Sequence, residues 1–271
     1  MKYRQNLHTH TVFSDGKDTP EQIILKAIDL GFSSIGFSDH SMMPFEVTGA
    51  MTRRNVEESK RQIEYLKQKY KGIISVYNGL EFDLFSPQDV GYYDFVIGSC
   101  HCLELEGEII EFDGNKTHVK GVIDRLFGGN GLKYAQTYYQ TLARLSSVER
   151  VDIVGHFDLV TKHSETESFF DTESKEYQNF ALEALCALYE RCKVFEINTG
   201  VVSRGYKTTF YPAPFIMREL KSRGAKMIIS SDCHDKNLLD FGFSDALDYL
   251  KSFGFEAVFT FDGNGFIPQK I

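Results

Sequence analysis

An α/β barrel is the fold this sequence predicts, and three observations carry that expectation. Predicted strands and helices alternate, with seven or eight strands in all, the pattern of parallel βα units. Ligand-type residues recur at the C-terminal ends of at least six of those strands. A closed barrel brings all such ends to one face, whereas an open sheet gathers ligands only near its switch point. Finally, no G-x-G-x-x-G opens a helix and no G-x-x-x-x-G-K occurs, so a nucleotide-binding open sheet lacks its main support.

The elements follow in order. Lys2–Leu7 reads as the first strand and delivers His8-Thr9-His10, with Asp15 close behind. Strand side chains alternate, so His-x-His places two imidazoles on one face. Thr19, Pro20 and Gln22 start a helix as cap, first-turn proline and capping-box partner. Ile24, Ala27 and Ile28 give that helix its apolar stripe, and Gly31 ends it. Ser34–Ser38 is the second strand, leading to Asp39-His40. A long polar helix is expected from about Thr52 to Tyr70. The third strand, Ile73–Asn78, runs into Gly79-Leu80-Glu81, and the fourth, Tyr93–Ser99, ends at Cys100-His101-Cys102. Helical spacing returns at Lys133–Leu145. Val151–Val154 leads to His156, and a helix near Ser174–Arg191 precedes the strand Val194–Ile197. A helix at Pro212–Arg223 is followed by the strand Lys226–Ser230, which ends at Asp232-Cys233-His234. A last helix, Asp245–Phe253, leads to Ala257–Phe261. Between the fourth and fifth strands, Leu103–Gly114 is partly alternating and predicts a hairpin turning at Gly107. With Gly128–Gly131 it forms a long excursion on the functional face, a candidate lid.

Composition narrows the function. Residues 1–271 suffice for one well-packed domain, and no repeat or linker divides them. A hydrophobic fraction of 42% with 25% charged residues is that of a globular protein. The net charge of -8 argues against a nucleic-acid partner. No apolar leader or membrane-length run is present, so a cytoplasmic address without membrane attachment is expected. The five cysteines form neither a disulfide framework nor a Cys-x-x-Cys clip, and Cys100, Cys102 and Cys233, next to candidate ligands, read as small buried hydrophobes.

His8, His10, Asp15, His40, Glu81, His101, His156, Asp232 and His234 are therefore the candidate metal ligands. One histidine at a strand end is commonly a satisfied core residue; six of the eight histidines in such places are not. Imidazoles and carboxylates without thiolates suit Zn, Mn or Fe. Nine ligands exceed one tetrahedral ion and would serve two or three divalent ions if a carboxylate bridges. Closely spaced divalent ions are the arrangement that cleaves phosphate esters.

The ordered set His8-Thr9-His10 with Asp15, Ser38-Asp39-His40, Gly79-Leu80-Glu81, Gly98-Ser99-Cys100-His101, Gly155-His156 and Ser231-Asp232-x-His234 resembles the motifs of the polymerase and histidinol phosphatase (PHP) superfamily. The resemblance implies a distorted TIM-like (β/α)7 barrel with the metal site at the C-terminal ends of the strands. It would place His8, His10, Glu81 and Asp232 on one ion. Glu81 would bridge to a second held by His101 and His156, and Asp15, His40 and His234 would hold a third. Ser38-Asp39-His40-Ser41, Gly155-His156-Phe157-Asp158-Leu159-Val160-x-Lys162, and Glu196-Ile197-Asn198-Thr199-Gly200 with Arg204 and Tyr211-Pro212 are most similar to the histidinol-phosphate phosphatases. Cys100 and Cys102 around His101, and Val201-Val202-Ser203 before Arg204, depart from that pattern.

The implied reaction is hydrolysis of L-histidinol phosphate to L-histidinol and phosphate, a step of histidine biosynthesis, by a metal-bridging hydroxide attacking phosphorus. Arg204, Lys162 and Asp232 are the expected catalytic residues. Arg204 and Lys162 would clamp the phosphate, and His163 would touch substrate. His118 lies outside every motif. A nuclease or nucleotide phosphoesterase of the same superfamily is the competing activity, and a non-catalytic metal-binding barrel is a second alternative. The sequence does not specify an oligomeric state.

Overall fold

The computed structural model describes residues 2–271. Strand β1 (Gln5–Asn6) is short and buried. Helix α1 (Pro20–Asp29) begins on a complete capping box: Thr19 accepts the Gln22 N–H, and the Gln22 side chain accepts the Thr19 N–H. Strand β2 (Ser34–Phe37) is followed by α2 (Arg53–Lys69), capped by Thr52. Strands β3 (Ser75–Asp83) and β4 (Phe95–Ser99) come next. The excursion is a hairpin of β5 (Cys102–Leu105) and β6 (Glu108–Glu111), then α3 (Lys116–Leu126). Helix α4 (Gly131–Ala143), strand β7 (Ile153–Val154), helix α5 (Lys175–Arg191) and strand β8 (Val194–Asn198) continue the alternation. The chain ends with α6 (Gly200–Ser203), α7 (Pro214–Arg223), β9 (Lys226–Ser230), α8 (Phe243–Ser252), β10 (Ala257–Phe261) and β11 (Phe266–Lys270).

Seven strands form the barrel in the order β1-β2-β3-β4-β7-β8-β9, and every neighbouring pair is parallel. Closure comes just beyond the first and last strands, where Thr9 pairs with Cys233 in parallel. The architecture is a distorted TIM-like α/β barrel with helices around seven parallel strands. Phe95 fills space that two glycines leave: a Cβ on Gly36 or Gly79 would lie 2.7 or 2.2 Å from its ring.

Several boundaries differ from the sequence expectation. The first strand is two residues rather than Lys2–Leu7. The third extends through Glu81 to Asp83, because β4 pairs with residues 79–83 while β2 pairs with 75–78. Ala257–Phe261 lies outside the barrel and pairs antiparallel with β11. The barrel is already closed by Thr9 and Cys233, so β10 packs at its N-terminal side, where the Gln5 amide bonds both the N–H and C=O of Phe261. Helix α3 escaped the sequence reading because Gly121 and four β-branched residues dilute its propensity, although Asn115 caps it and Val119, Val122 and Ile123 are buried. The hairpin turns at Glu106-Gly107, both with positive φ. No helix among the described residues is long and apolar enough to cross a membrane.

Candidate metal centre

The barrel ladder continues past its strands into the segments that carry the candidate ligands. The Cys233 N–H bonds the His8 carbonyl and the His10 N–H bonds the Cys233 carbonyl, at 3.0 and 2.9 Å. Likewise the Glu81 N–H bonds the Asp39 carbonyl, pairing His40 with Glu81. Extended backbone alternates its side chains, so His8 and His10 face one way while Thr9 turns to the Gly36 carbonyl. Cys100, Cys102 and Cys233 are buried and unbridged.

Glu81, 1% exposed, is the hub. Its Oε1 lies 3.0 Å from His156 Nε2, 3.2 Å from His8 Nε2 and 3.5 Å from His101 Nε2. Its Oε2 lies 2.8 Å from His40 Nδ1 and 3.5 Å from His10 Nε2. Asp232 Oδ1 approaches His10 Nε2 to 3.2 Å and His8 Nε2 to 3.7 Å. Beyond them Asp15 reaches His234 Nε2 at 3.1 Å, His10 Nδ1 at 3.4 Å and His40 Nε2 at 3.6 Å.

All nine sequence-derived candidates thus stand in one constellation, with four groupings compact enough for an ion. These are His8-His10-Asp232, His8-Glu81-His156, His40-Glu81-His101 and His10-Asp15-His40-His234. They cut across the sets implied by the resemblance: Glu81 meets His101 and His156 in separate groups, and His10 also faces Asp15. The donor chemistry fits divalent cations. His8 Nε2, His10 Nε2 and Glu81 Oε2 are buried with no hydrogen-bond partner among the described residues, a costly condition that ion binding relieves.

Residues behind the ligands hold them in place. Glu196 accepts from His8 Nδ1 at 2.9 Å and from the His156 N–H at 2.6 Å. In the neutral ring that partner assigns the proton to Nδ1, so that Nε2 would be the ligating atom. Asp83 accepts the His101 N–H at 2.8 Å. Asp39 accepts from the Thr11 N–H and hydroxyl and from the Ser14 hydroxyl, shaping the turn that carries Asp15. None of these three was among the sequence-derived site residues. The period of two signals Asp83, two positions after Glu81.

Arg204 donates to Asp232 Oδ2 and to the Asp232 carbonyl, each at 2.8 Å. Asp232 has φ +47°, a left-handed conformation that costs a side-chain-bearing residue energy. The Arg204 contacts and the His234 Nδ1 contact to the same carbonyl hold it there. Gly200 lets these groups approach, since a Cβ would lie 2.6 Å from the Ser231 carbonyl and 2.9 Å from the Arg204 guanidinium. Arg204, Lys162 and Tyr206 line a cavity beside His101, His156 and His234. Lys162 lies over the Tyr206 ring and pairs with Asp113 at 2.8 Å. His163 sits elsewhere: its Nε2 meets the Gly114 carbonyl at 2.9 Å, its ring packs edge-on against Tyr206, and it lines neither cavity at the centre.

Burial opposes charge throughout the centre, yet opposite charges outweigh it at most positions. The carboxylates of Glu196, Glu81 and Asp232 hold the His8 pKa well above its ordinary value despite burial. Burial raises Glu81 and Asp232, but neighbouring imidazoles, and Arg204 for Asp232, bring both well below the usual carboxylate range. His10 is pushed down to about 3 by burial and by the adjacent His234 and His40.

A family model described as "PHP domain" matches residues 6–200. The chain is 28% identical over 258 residues to a Deinococcus radiodurans protein named "Probable histidinol-phosphatase", covering 91% of this chain and 92% of that one. It is 26% identical to the Bacillus subtilis protein named "Histidinol-phosphatase", covering 89% and 97%. A crystal structure of Lactococcus lactis histidinol phosphate phosphatase, complexed with Zn, L-histidinol and phosphate, superposes with a TM-score of 0.74 at 22% identity, covering 97% of this chain and 98% of that one. At that identity the likeness shows a shared fold.

Proposed function

The chain belongs to the PHP domain family, and from that premise we propose that it is a metal-dependent phosphomonoesterase acting on L-histidinol phosphate, releasing L-histidinol and phosphate. One observation carries the reading: nine imidazole and carboxylate side chains converge at one mouth of the barrel, next to a cavity that presents Arg204 and Lys162. The names of relatives matched over nine-tenths of their length support the choice of substrate.

The cofactor is two or three divalent ions of the Zn, Mn or Fe type, held by His8, His10, Asp15, His40, Glu81, His101, His156, Asp232 and His234. When bound, such ions supply an activated water and neutralise charge on the phosphoryl oxygens. The protein's own residues do the rest. Arg204 and Lys162 bind the phosphoryl group and stabilise the charge it gains, as a guanidinium and an ammonium do best with little competing water. Asp232 orients Arg204 through Oδ2 while Oδ1 stays turned to the imidazoles. Glu196 keeps the His8 proton on Nδ1. His163 anchors the segment between the hairpin and α3 through the Gly114 carbonyl.

The test compares phosphate release from L-histidinol phosphate with hydrolysis of short oligonucleotides, with Mn and with Zn. Turnover confined to the small ester supports the reading; preference for oligonucleotides overturns it. Metal analysis of a His8→Ala/His101→Ala variant tests the shared centre, since unchanged metal content excludes it.

A further inference from the structure

Two cavities meet at the metal centre, sharing Asp15, His40, His101 and Asp113 in their walls. One holds the cations Lys162 and Arg204. The other lies between the hairpin and the loop after β2, and no lysine or arginine lines it among the described residues. Met43, Val47 and Ala50 form its apolar side, and Asp83, Glu111 and Asp113 its acidic side. Glu81 also borders this space, with its Oε2 turned to the imidazoles of His40 and His10. A cavity of opposite character thus adjoins the one that presents Lys162 and Arg204.

Most carboxylates there are committed. Asp113 pairs with Lys162, Asp83 accepts the N–H groups of His101 and Phe85, and Asp15 and Glu81 face the imidazoles. Glu111 differs. Among the described residues its carboxylate meets only the Thr48 N–H at 3.2 Å and the Thr48 hydroxyl at 3.5 Å, both neutral, while His118 Nε2 meets its carbonyl at 3.0 Å. Glu111 ends β6, and Thr48 belongs to the opposite loop, so this contact joins the two walls of the cavity.

We infer that this cavity receives the leaving alcohol and that Glu111 is a specificity-determining residue selecting a positively charged one, an alkylammonium or imidazolium group. The inference rests on the phosphomonoesterase reading. An alcohol bearing a second phosphate or a carboxylate would meet uncompensated like charge, which rejects wrong partners more effectively than weak attraction selects right ones.

The experiment uses the metal-loaded protein and its Glu111→Gln and Glu111→Asp variants. Gln still accepts from Thr48, and Asp keeps the charge. The cationic substrates are L-histidinol phosphate and O-phosphoethanolamine; phenyl phosphate and glycerol phosphate carry neutral alcohols. Glu111→Gln should lower kcat/KM for the cationic esters about tenfold relative to the neutral ones, with Glu111→Asp recovering most of the preference. Titration calorimetry should show L-histidinol binding weakened by a similar factor and inorganic phosphate binding unchanged. Equal losses for both ester classes, or an unchanged ratio, overturn the inference. If the unsubstituted protein ignores L-histidinol phosphate but prefers O-phosphoethanolamine to neutral esters, the substrate assignment fails and the inference stands. A preference for neutral or anionic esters over both cationic ones defeats the inference and the substrate assignment together, whereas turnover of L-histidinol phosphate that Glu111→Gln leaves untouched defeats the inference alone.

Discussion

Lys162 Nζ lies 2.8 Å from Asp113 Oδ1, so a side chain from the hairpin excursion holds a cation of the phosphate-side cavity. The next residues repeat the link, His163 to the Gly114 carbonyl. Burial opposes ionisation of Asp113, yet the Lys162 ammonium keeps its pKa below the ordinary value. If Asp113 acts by positioning Lys162, Asp113→Asn should raise KM several-fold with a small change in kcat. In a Lys162→Ala background the same change should add nothing. Steady-state kinetics of the four-member cycle decide this, and additive losses would show that Asp113 works independently.

Arg204→Ala should cost roughly 2–4 kcal/mol of transition-state stabilisation, the scale of one charged stabilising contact. The readout is kcat/KM at full metal loading. Near-original turnover excludes Arg204 from the phosphate clamp.

Donors meet both oxygens of Glu196, His8 Nδ1 and the Ser230 hydroxyl at Oε2 and the His156 N–H and Asn198 amide at Oε1, so in Glu196→Gln one pair of donors must face an NH2 group. Metal affinity should fall about 10- to 100-fold, the usual consequence of losing the partner that orients a ligand. Competition with a chromogenic chelator measures it. An unchanged affinity would mean that packing alone orients His8.

Removing metal with a chelator should lower the melting temperature. At a free-ion concentration about 100 times Kd, binding contributes roughly 2.7 kcal/mol, or about 5–10 °C for a chain of this size. Restoring Zn or Mn should reverse the shift. A melting temperature indifferent to metal would count against a site formed by the folded barrel.

Much of this arrangement is legible in the sequence because strand alternation is a local rule. His8-x-His10 and Asp232-x-His234 declare their faces without reference to the rest of the chain, and their position after apolar runs marks the barrel mouth. Asp83 obeys the same rule. The grip of Arg204 on Asp232 follows no such period, since it depends on a left-handed backbone at Asp232 that no spacing announces. The aim of Glu196 at His8 is equally non-local. Helix α3 stayed hidden because its signal lies in capping and three buried positions rather than in propensity.

The pairing of Thr9 with Cys233 has a temporal meaning. His234 and Asp15, brought together by that seam, are 219 positions apart. A chain still emerging from the ribosome holds His8, His10 and Glu81 long before Asp232 and His234 exist. Ion capture by the whole centre is therefore an event after synthesis, and a fragment that stops short of the last barrel strand should compete poorly for metal however well its early strands form. Loaded metal then certifies a finished chain.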